Sequence, residues 1–401
     1  MRGSAGGANL LALRSHNTAL VLGLLRGAGA EGISRLELAE RTGLTPQAVS
    51  KITARLRGEG LAAEAGRRAS TGGKPRTVLR LVPGAGHAVG VHLDRDELRA
   101  VLVDLDGAVV AERRAPLDLG AGAETVLAGV ARAAEELAAE GLAAEGPTPA
   151  VPRGAGARPP GGALAAAPTL LGLGAALPGP LDHVRGVLHR VTGFPEWDGY
   201  PLRDALERRL GVPVVVDKDT NAAALGLAVG GAGHEGGGGA GAGAEAGSFA
   251  YLHLGTGLGA GLVFGGGVHR GARTGAGEFG HQVVQLDGPP CTCGARGCIE
   301  ALCLAAVARG DLAEAARVLG AGAANLAGLL DIDQVLLGGR TVAAAPEAFV
   351  HGVGAVLDAR ARREGGHDGA VPVRLAPGGP RGVAEGAAQL LLAPLFHGNG
   401  G

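Results

Sequence analysis

In the stretch ISRLELAERTGLTPQAVSKITARLRGEGLAAEAG, which begins at Ile33, apolar residues recur at helical spacing twice, interrupted by Gly43-Leu44. Thr45 is a good N-cap and Pro46 a good first helical residue, so a second helix is predicted to start there. In it Ala48, Val49, Ile52 and Leu56 can face a small core, while Gln47, Ser50, Lys51 and Arg55 point outward. Next comes GRRASTGGKPRTVLRL, Gly66 to Leu81, which reads as two strands around a glycine-rich tip. Helix, turn, capped helix and basic hairpin in that order predict a winged helix-turn-helix. Thr45, Gln47, Ser50, Lys51 and Arg55 would then meet a major groove, with Arg67, Arg68, Lys74 and Arg76 of the wing near phosphates or a minor groove. A helical protein-interaction module with a solvated basic loop is the alternative.

Beyond Val82 the pattern changes to short β-rich runs. AVGVHLD, LRAVLVDLDG and AVVAERRA predict a three-strand meander, and a helix over Glu124 to Leu142 follows. Later apolar runs alternate with helices: TLLGLGAAL, a helix after Pro201, VPVVVD, a helix from Asn221, SFAYLHLG, GAGLVFGG and IDQVLLGG. This alternation predicts an α/β architecture, and two halves of meander plus helix point to a duplicated lobe. Residues 145–162 and 231–247 break all periodicity and read as low-complexity insertions. The domains expected are therefore 1–82 and 83–401.

A chain of 401 residues can hold two or three domains. Its formal charge of -1 gives no global pull towards nucleic acid, so a DNA-binding surface must be local. No apolar run is long enough to span a membrane and no leader-like segment is found, so a cytoplasmic protein without a membrane partner is expected. With 76 glycines, an isolated Gly says little.

Cysteine is informative because it is rare. Three of the four cysteines, Cys291, Cys293 and Cys298, follow His281 in the spacing H-x9-C-x-C-x4-C. In a reducing compartment such a cluster is more often a metal site than a disulfide. One imidazole and three thiolates make a closed tetrahedral set, the composition of a structural zinc site, and Gly294 and Gly297 let the backbone wrap an ion. A redox pair or ordinary buried thiols are the alternatives. Cys303 reads as a small buried residue in a helix.

The motifs GEFGH and CTCGARGCIE, with VDKDTNAAALG, LGTGLGAGLVFGGGVHRGARTGAGEFGH and DIDQVLLGGR, resemble the ROK family of repressors, open reading frames and sugar kinases over most of Gly86 to Phe396. The N-terminal module is similar to the repressor branch. The resemblance implies a two-lobed, actin-like ATPase or sugar kinase fold with a cleft. It also implies that Lys218, Asp219, Glu278, His281 and Glu300 line a sugar pocket, with zinc holding one ring nitrogen of His281. Asp219 matches the kinases' general base, here expected to be vestigial.

The kinases' first phosphate turn, D-x-G-G-T, is replaced here by His92, Asp94, Arg95 and Asp96, whose bulk and charge should exclude nucleotide phosphates. The second, Gly255-Thr256-Gly257 with Gly259, is retained, as is LLGGR at Leu336 to Arg340. The expectation is a transcriptional repressor of carbohydrate genes. It would bind double-stranded operator DNA as a homodimer or homotetramer, answer to a sugar or sugar phosphate, and catalyse nothing. An active ATP-dependent sugar kinase with an accessory DNA-binding domain is the alternative, as is a vestigial pocket with a protein input.

Overall fold

The computed structural model describes residues 16–68, 76–144, 164, 169–191, 193–230, 247–365 and 369–396. Lys74 and both low-complexity insertions, apart from Gly247, lie outside the described residues.

The N-terminal module is built as its periodicity predicts. Helices His16–Gly27, Arg35–Thr42 and Pro46–Gly58 pack beside a small sheet of order β1-β3-β2, from β1 (Ile33–Ser34), β2 (Ala62–Arg68) and β3 (Arg76–Leu81). Ser34 and Glu37 form a reciprocal capping box at the second helix. Thr45 caps the third by accepting from the Ala48 amide at 3.2 Å. The inward row of that helix is Val49, Thr53 and Leu56; Ala48 and Ile52 are half-buried. Polar Thr53 fits the core because its hydroxyl donates to the Val49 carbonyl at 2.8 Å and accepts from Arg35 at 3.2 Å. Gln47, Ser50, Lys51 and Arg55 are exposed, as are Arg67 and Arg76 on the paired wing strands. Arg55 is partly committed, since its guanidinium donates to Thr18 Oγ1 at 2.7 Å.

Two five-stranded sheets of matching topology form two lobes. The first, order β10-β7-β4-β5-β6, contains the antiparallel meander β4 (His87–Leu93), β5 (Glu97–Asp104) and β6 (Val109–Pro116). Beside β4 lie β7 (Leu170–Leu177) and β10 (Val214–Lys218), both parallel to it. β4 is buried throughout, so its sequence is nearly continuously apolar, whereas the edge strand β6 carries Glu112, Arg113 and Arg114. Strands β8 (Leu181–Asp182) and β9 (Val187–Leu188) form a separate hairpin.

The second lobe repeats the plan in the order β13-β12-β11-β14-β15. Its meander is β11 (Ser248–Leu254), β12 (Leu258–Phe264) and β13 (Gly267–Val268). Beyond β11 run the parallel strands β14 (Gln334–Gly338) and β15 (Val373–Leu375). The duplicated halves expected from the sequence are therefore present as two equivalent sheets. One boundary differs: the helix expected from Asn221 begins at Asp219, which places that carboxylate in its first turn.

The C-terminal helix Gly382–Phe396 joins these parts. It lies on β4 and β7, on the helix Asp219–Gly230 and on the first helix His16–Gly27. Contact is backbone to backbone. A Cβ at Gly174 of β7 would sit 1.8 Å from the Ala387 carbonyl oxygen, and one at Gly386 would sit 1.9 Å from that of Ala222. Only glycine allows this approach. Leu22 and Leu25 share one buried cluster with Ala384, Leu391 and Leu395, and the Arg26 guanidinium lies 4.7 Å from the Phe396 ring centroid. One buried cluster thus runs across residue 82.

Candidate functional site

A cleft between the lobes is lined by the first-lobe residues Asp94, Arg95, Lys218 and Asp219 and by second-lobe residues including Thr256, Gly257, Glu278, His281 and Glu300. The cleft is open to solvent, and the space within it and its mouth is about 630 Å³. Every residue that the family resemblance assigned to sugar binding is among its walls.

The carboxylates are held in different ways. Asp219 accepts from the Thr220 amide at 2.6 Å. Glu300 is buried at the start of the helix Ile299–Ala308 and accepts from the Leu258 amide at 2.8 Å. Glu278 is exposed and paired with the buried Lys218, Nζ to Oε1 3.1 Å. Because the Lys218 ammonium also donates to the Ala276 carbonyl, its clearest role is to hold Glu278 in place. Arg270 reinforces the same segment by reaching Asp217 at 2.7 Å. Gly277 has φ +84, and a Cβ there would meet the Ala260 carbonyl oxygen at 2.0 Å, so GEFGH can lie against β12 only with glycine at its head.

The metal quartet also assembles. The ligand atoms of His281, Cys291, Cys293 and Cys298 all lie within 4.8 Å of one another. His281 Nδ1 is 3.7 Å from Cys291 Sγ, and Cys293 Sγ is 3.7 Å from Cys298 Sγ. A tetrahedron with Zn–S bonds of about 2.3 Å has edges of about 3.8 Å. Burial and the neighbouring sulfurs push the Cys298 thiol up to about 12, an opposition to thiolate formation that a bound dication would remove. The residues therefore fit a four-coordinate metal ion. Gly297 donates to the Pro289 carbonyl and Ile299 to that of Gln282, so the loop is knitted between the cleft turn and the helix bearing Glu300. With Nδ1 directed at the quartet, Nε2 is the His281 nitrogen left for the cleft. Cys303 lies apart and buried, its thiol facing the Ala315 carbonyl at 3.5 Å.

At the end of the cleft that the family resemblance assigns to nucleotide phosphates, the two lobes are tied together. Arg340, just beyond β14, reaches Asp96 at 2.5 and 2.9 Å and Asp94 at 2.5 Å. Thr256 Oγ1 of the retained turn donates to Asp94 at 2.7 Å. Asp94 thus occupies the turn as an anionic ligand would. The sequence suggests exclusion by bulk and by repulsion; in the structure Arg340 pairs with both carboxylates, so bulk remains and repulsion is reduced. Nothing local signals this contact, because the partners are about 245 residues apart.

Burial opposes ionisation of Asp94, but the His92 ring and hydrogen bonds from Arg340, Thr256 and the Arg95 amide outweigh it and hold the carboxyl at about 2. This value lies below the ordinary 3.8, so the ionised form stabilises the folded state above that pH, and the contribution fades as the group protonates in acid. The gap in melting temperature between wild type and Asp94→Asn is expected to be constant above about pH 5 and to close between about pH 4 and pH 2. Thermal melts across that range check it. A gap that widens in acid would contradict the assignment.

Residues 162–308 match the model of the ROK family. Among curated relatives, the chain is 27% identical to a putative xylose repressor of Caldicellulosiruptor sp. over 268 residues, 67% of this chain and 59% of the repressor. It is 40% identical to a glucokinase of Thermotoga maritima over 148 residues, 35% of this chain and 42% of that enzyme. The match to the first of these thus spans about three fifths of the relative's length. In fold, the chain is similar to a ROK family transcriptional regulator described as a homolog of the E. coli MLC protein, with a TM-score of 0.69, 20% identity, and 96% of this chain and 98% of that one covered. Residues 162–308 are thus similar to the ROK family, and the two equivalent sheets about an interlobe cleft share the fold of that regulator.

Proposed function

We propose that the protein is a sugar-responsive transcriptional repressor of carbohydrate genes, acting in the cytoplasm as a homodimer or homotetramer on operator DNA. One observation carries the reading: an exposed recognition helix is fused to a sugar-type cleft whose phosphate turn is occupied by the chain's own Asp94. The repressor relatives support the same assignment. Among the described residues no helix is long and apolar enough to cross a membrane.

Sequence would be read by Gln47, Ser50 and Lys51 at the exposed start of the recognition helix, with Thr45 at its cap. Arg55, Arg67, Arg68, Lys74 and Arg76 would contribute phosphate contacts. Zinc in the quartet of His281, Cys291, Cys293 and Cys298 would brace the sugar-facing turn and carry no open position for chemistry. Glu278, Glu300 and Asp219 would accept hydrogen bonds from vicinal hydroxyls. A ligand shifts such a regulator only as far as it binds one lobe arrangement better than another. Catalysis is not expected. The retained Gly255, Thr256, Gly257 and Gly259 then serve the tight turn and the contact of β12 with Thr220.

The test is fluorescence anisotropy on duplexes selected from a random pool, titrated with a panel of sugars and sugar phosphates. One compound should change operator affinity, and Mg-ATP should not alter that effect. Lys51→Ala should weaken binding and lower the slope of log affinity against log salt by about 1 if the ammonium meets a phosphate. Sugar-dependent ADP release, lost in Asp219→Asn, would return the sugar kinase reading to first place.

A further inference from the structure

Resting on the zinc quartet, we infer that Cys293 and Cys298 are a peroxide-sensitive thiol pair: a peroxide joins them in a disulfide and ejects the metal that braces the cleft turn. The two sulfurs already lie 3.7 Å apart, and a disulfide needs them at about 2.05 Å.

The four ligands differ in access. Cys298 is fully buried at the N-cap of the helix Ile299–Ala308, and its backbone pairs with Val283 in an isolated β-bridge. Gly297 before it is wedged in place, since a Cβ there would lie 1.6 Å from the Gln285 carbonyl oxygen. Cys291 is half-buried, with its Sγ 3.7 Å from His281 Nδ1. Cys293 is exposed, and so are Thr292, Gly294, Ala295 and Arg296 around it. A Cβ at Gly294 would meet nothing within 4 Å. One sulfur therefore stands in solvent on a loop with room to move, and a second is held behind it by the backbone. A small oxidant reaches Cys293 first, and Cys298 supplies the second sulfur without needing solvent access.

The chemistry balances with one peroxide. The Cys293 thiolate attacks a peroxide oxygen: the S–O bond forms, the O–O bond breaks, and the other oxygen takes a proton from solvent and leaves as water. The Cys298 thiolate then attacks the Cys293 sulfur: the S–S bond forms, the S–O bond breaks, and the hydroxyl leaves with a second proton as water. Two electrons from the thiolate pair thus reduce the peroxide to water. Zinc has no redox chemistry of its own, and with only His281 and Cys291 left to hold it, it departs as the dication.

The loss reaches the cleft because the same loop is knitted to it. Val284 donates to the Gly297 carbonyl, Ile299 donates to that of Gln282, and Glu300 follows on the helix that Cys298 begins. Oxidation should therefore unfasten His281 and Glu300 together, and a dithiol reductant should reverse it once zinc is supplied.

The full zinc-loaded chain, its metal content measured first, is treated with a small excess of hydrogen peroxide while a chromogenic chelator reports released zinc. About one zinc per chain should appear together with a fall in melting temperature, and dithiothreitol with added zinc should restore both. Trypsin cuts after Arg296 and separates Cys293 from Cys298 unless a disulfide joins them, so fragmentation of the linked peptides by mass spectrometry should find that bond. Cys303→Ser, outside the quartet, should release zinc and form the same link. Zinc retained throughout, release with sulfinic acid and no link, or a link that uses Cys291 or Cys303 instead overturns the thiol pair while leaving the zinc site. A chain that holds no zinc before peroxide is added overturns the quartet and this inference with it.

Discussion

Replacing Cys298 by serine is expected to release the metal and unfold the region around it, with a loss of roughly 3–5 kcal/mol. The side chain is fully buried, and its sulfur lies 3.7 Å from that of Cys293. A serine oxygen there would leave only three of the four ligands that the proposed zinc would need. Both the cleft turn and the helix carrying Glu300 should loosen. Metal analysis together with melting temperature checks the outcome, and Cys303→Ser supplies the contrast. Cys303 is as deeply buried but belongs to no quartet, so its variant should keep the metal. Full metal content in Cys298→Ser would refute the quartet.

A comparably large effect is expected from Gly174→Val, about 3–5 kcal/mol of destabilisation. The first added carbon would sit 1.8 Å from the Ala387 carbonyl oxygen, so β7 or the C-terminal helix must move. Because that helix also completes the core beneath His16–Gly27, the N-terminal module should loosen together with the first lobe. Hydrogen exchange should report the same added opening at Leu22 and Leu25 as at Leu173. Gly354→Ala is the control: its added methyl meets nothing within 4 Å in a helix interior. That variant should gain about 0.5–1 kcal/mol from helix propensity alone.

These two sites differ in how far they could be read from the chain. The quartet was legible because cysteine is rare and its spacing is local, and the helix Pro46–Gly58 because capping and helical periodicity act within about four residues of the chain. Thr53 was passed over as a core residue since periodicity counts apolar side chains, while a hydroxyl can satisfy itself on its own helix. The cleft residues were named through family motifs. Their environments were not: Lys218 as a prop for Glu278 and Asp94 as the occupant of the phosphate turn depend on pairings between distant segments. In so glycine-rich a chain, the glycines under the C-terminal helix carried no mark to set them apart from the rest.

The position of that last helix also governs when the molecule can be completed. Leu22 and Leu25 are synthesised before both lobes, yet their partners Leu391 and Leu395 follow them. On the ribosome the N-terminal module must wait with its underside uncovered while both lobes are translated. A chain truncated before Gly382 would expose the same surface, so such products should be prone to aggregation or capture by chaperones.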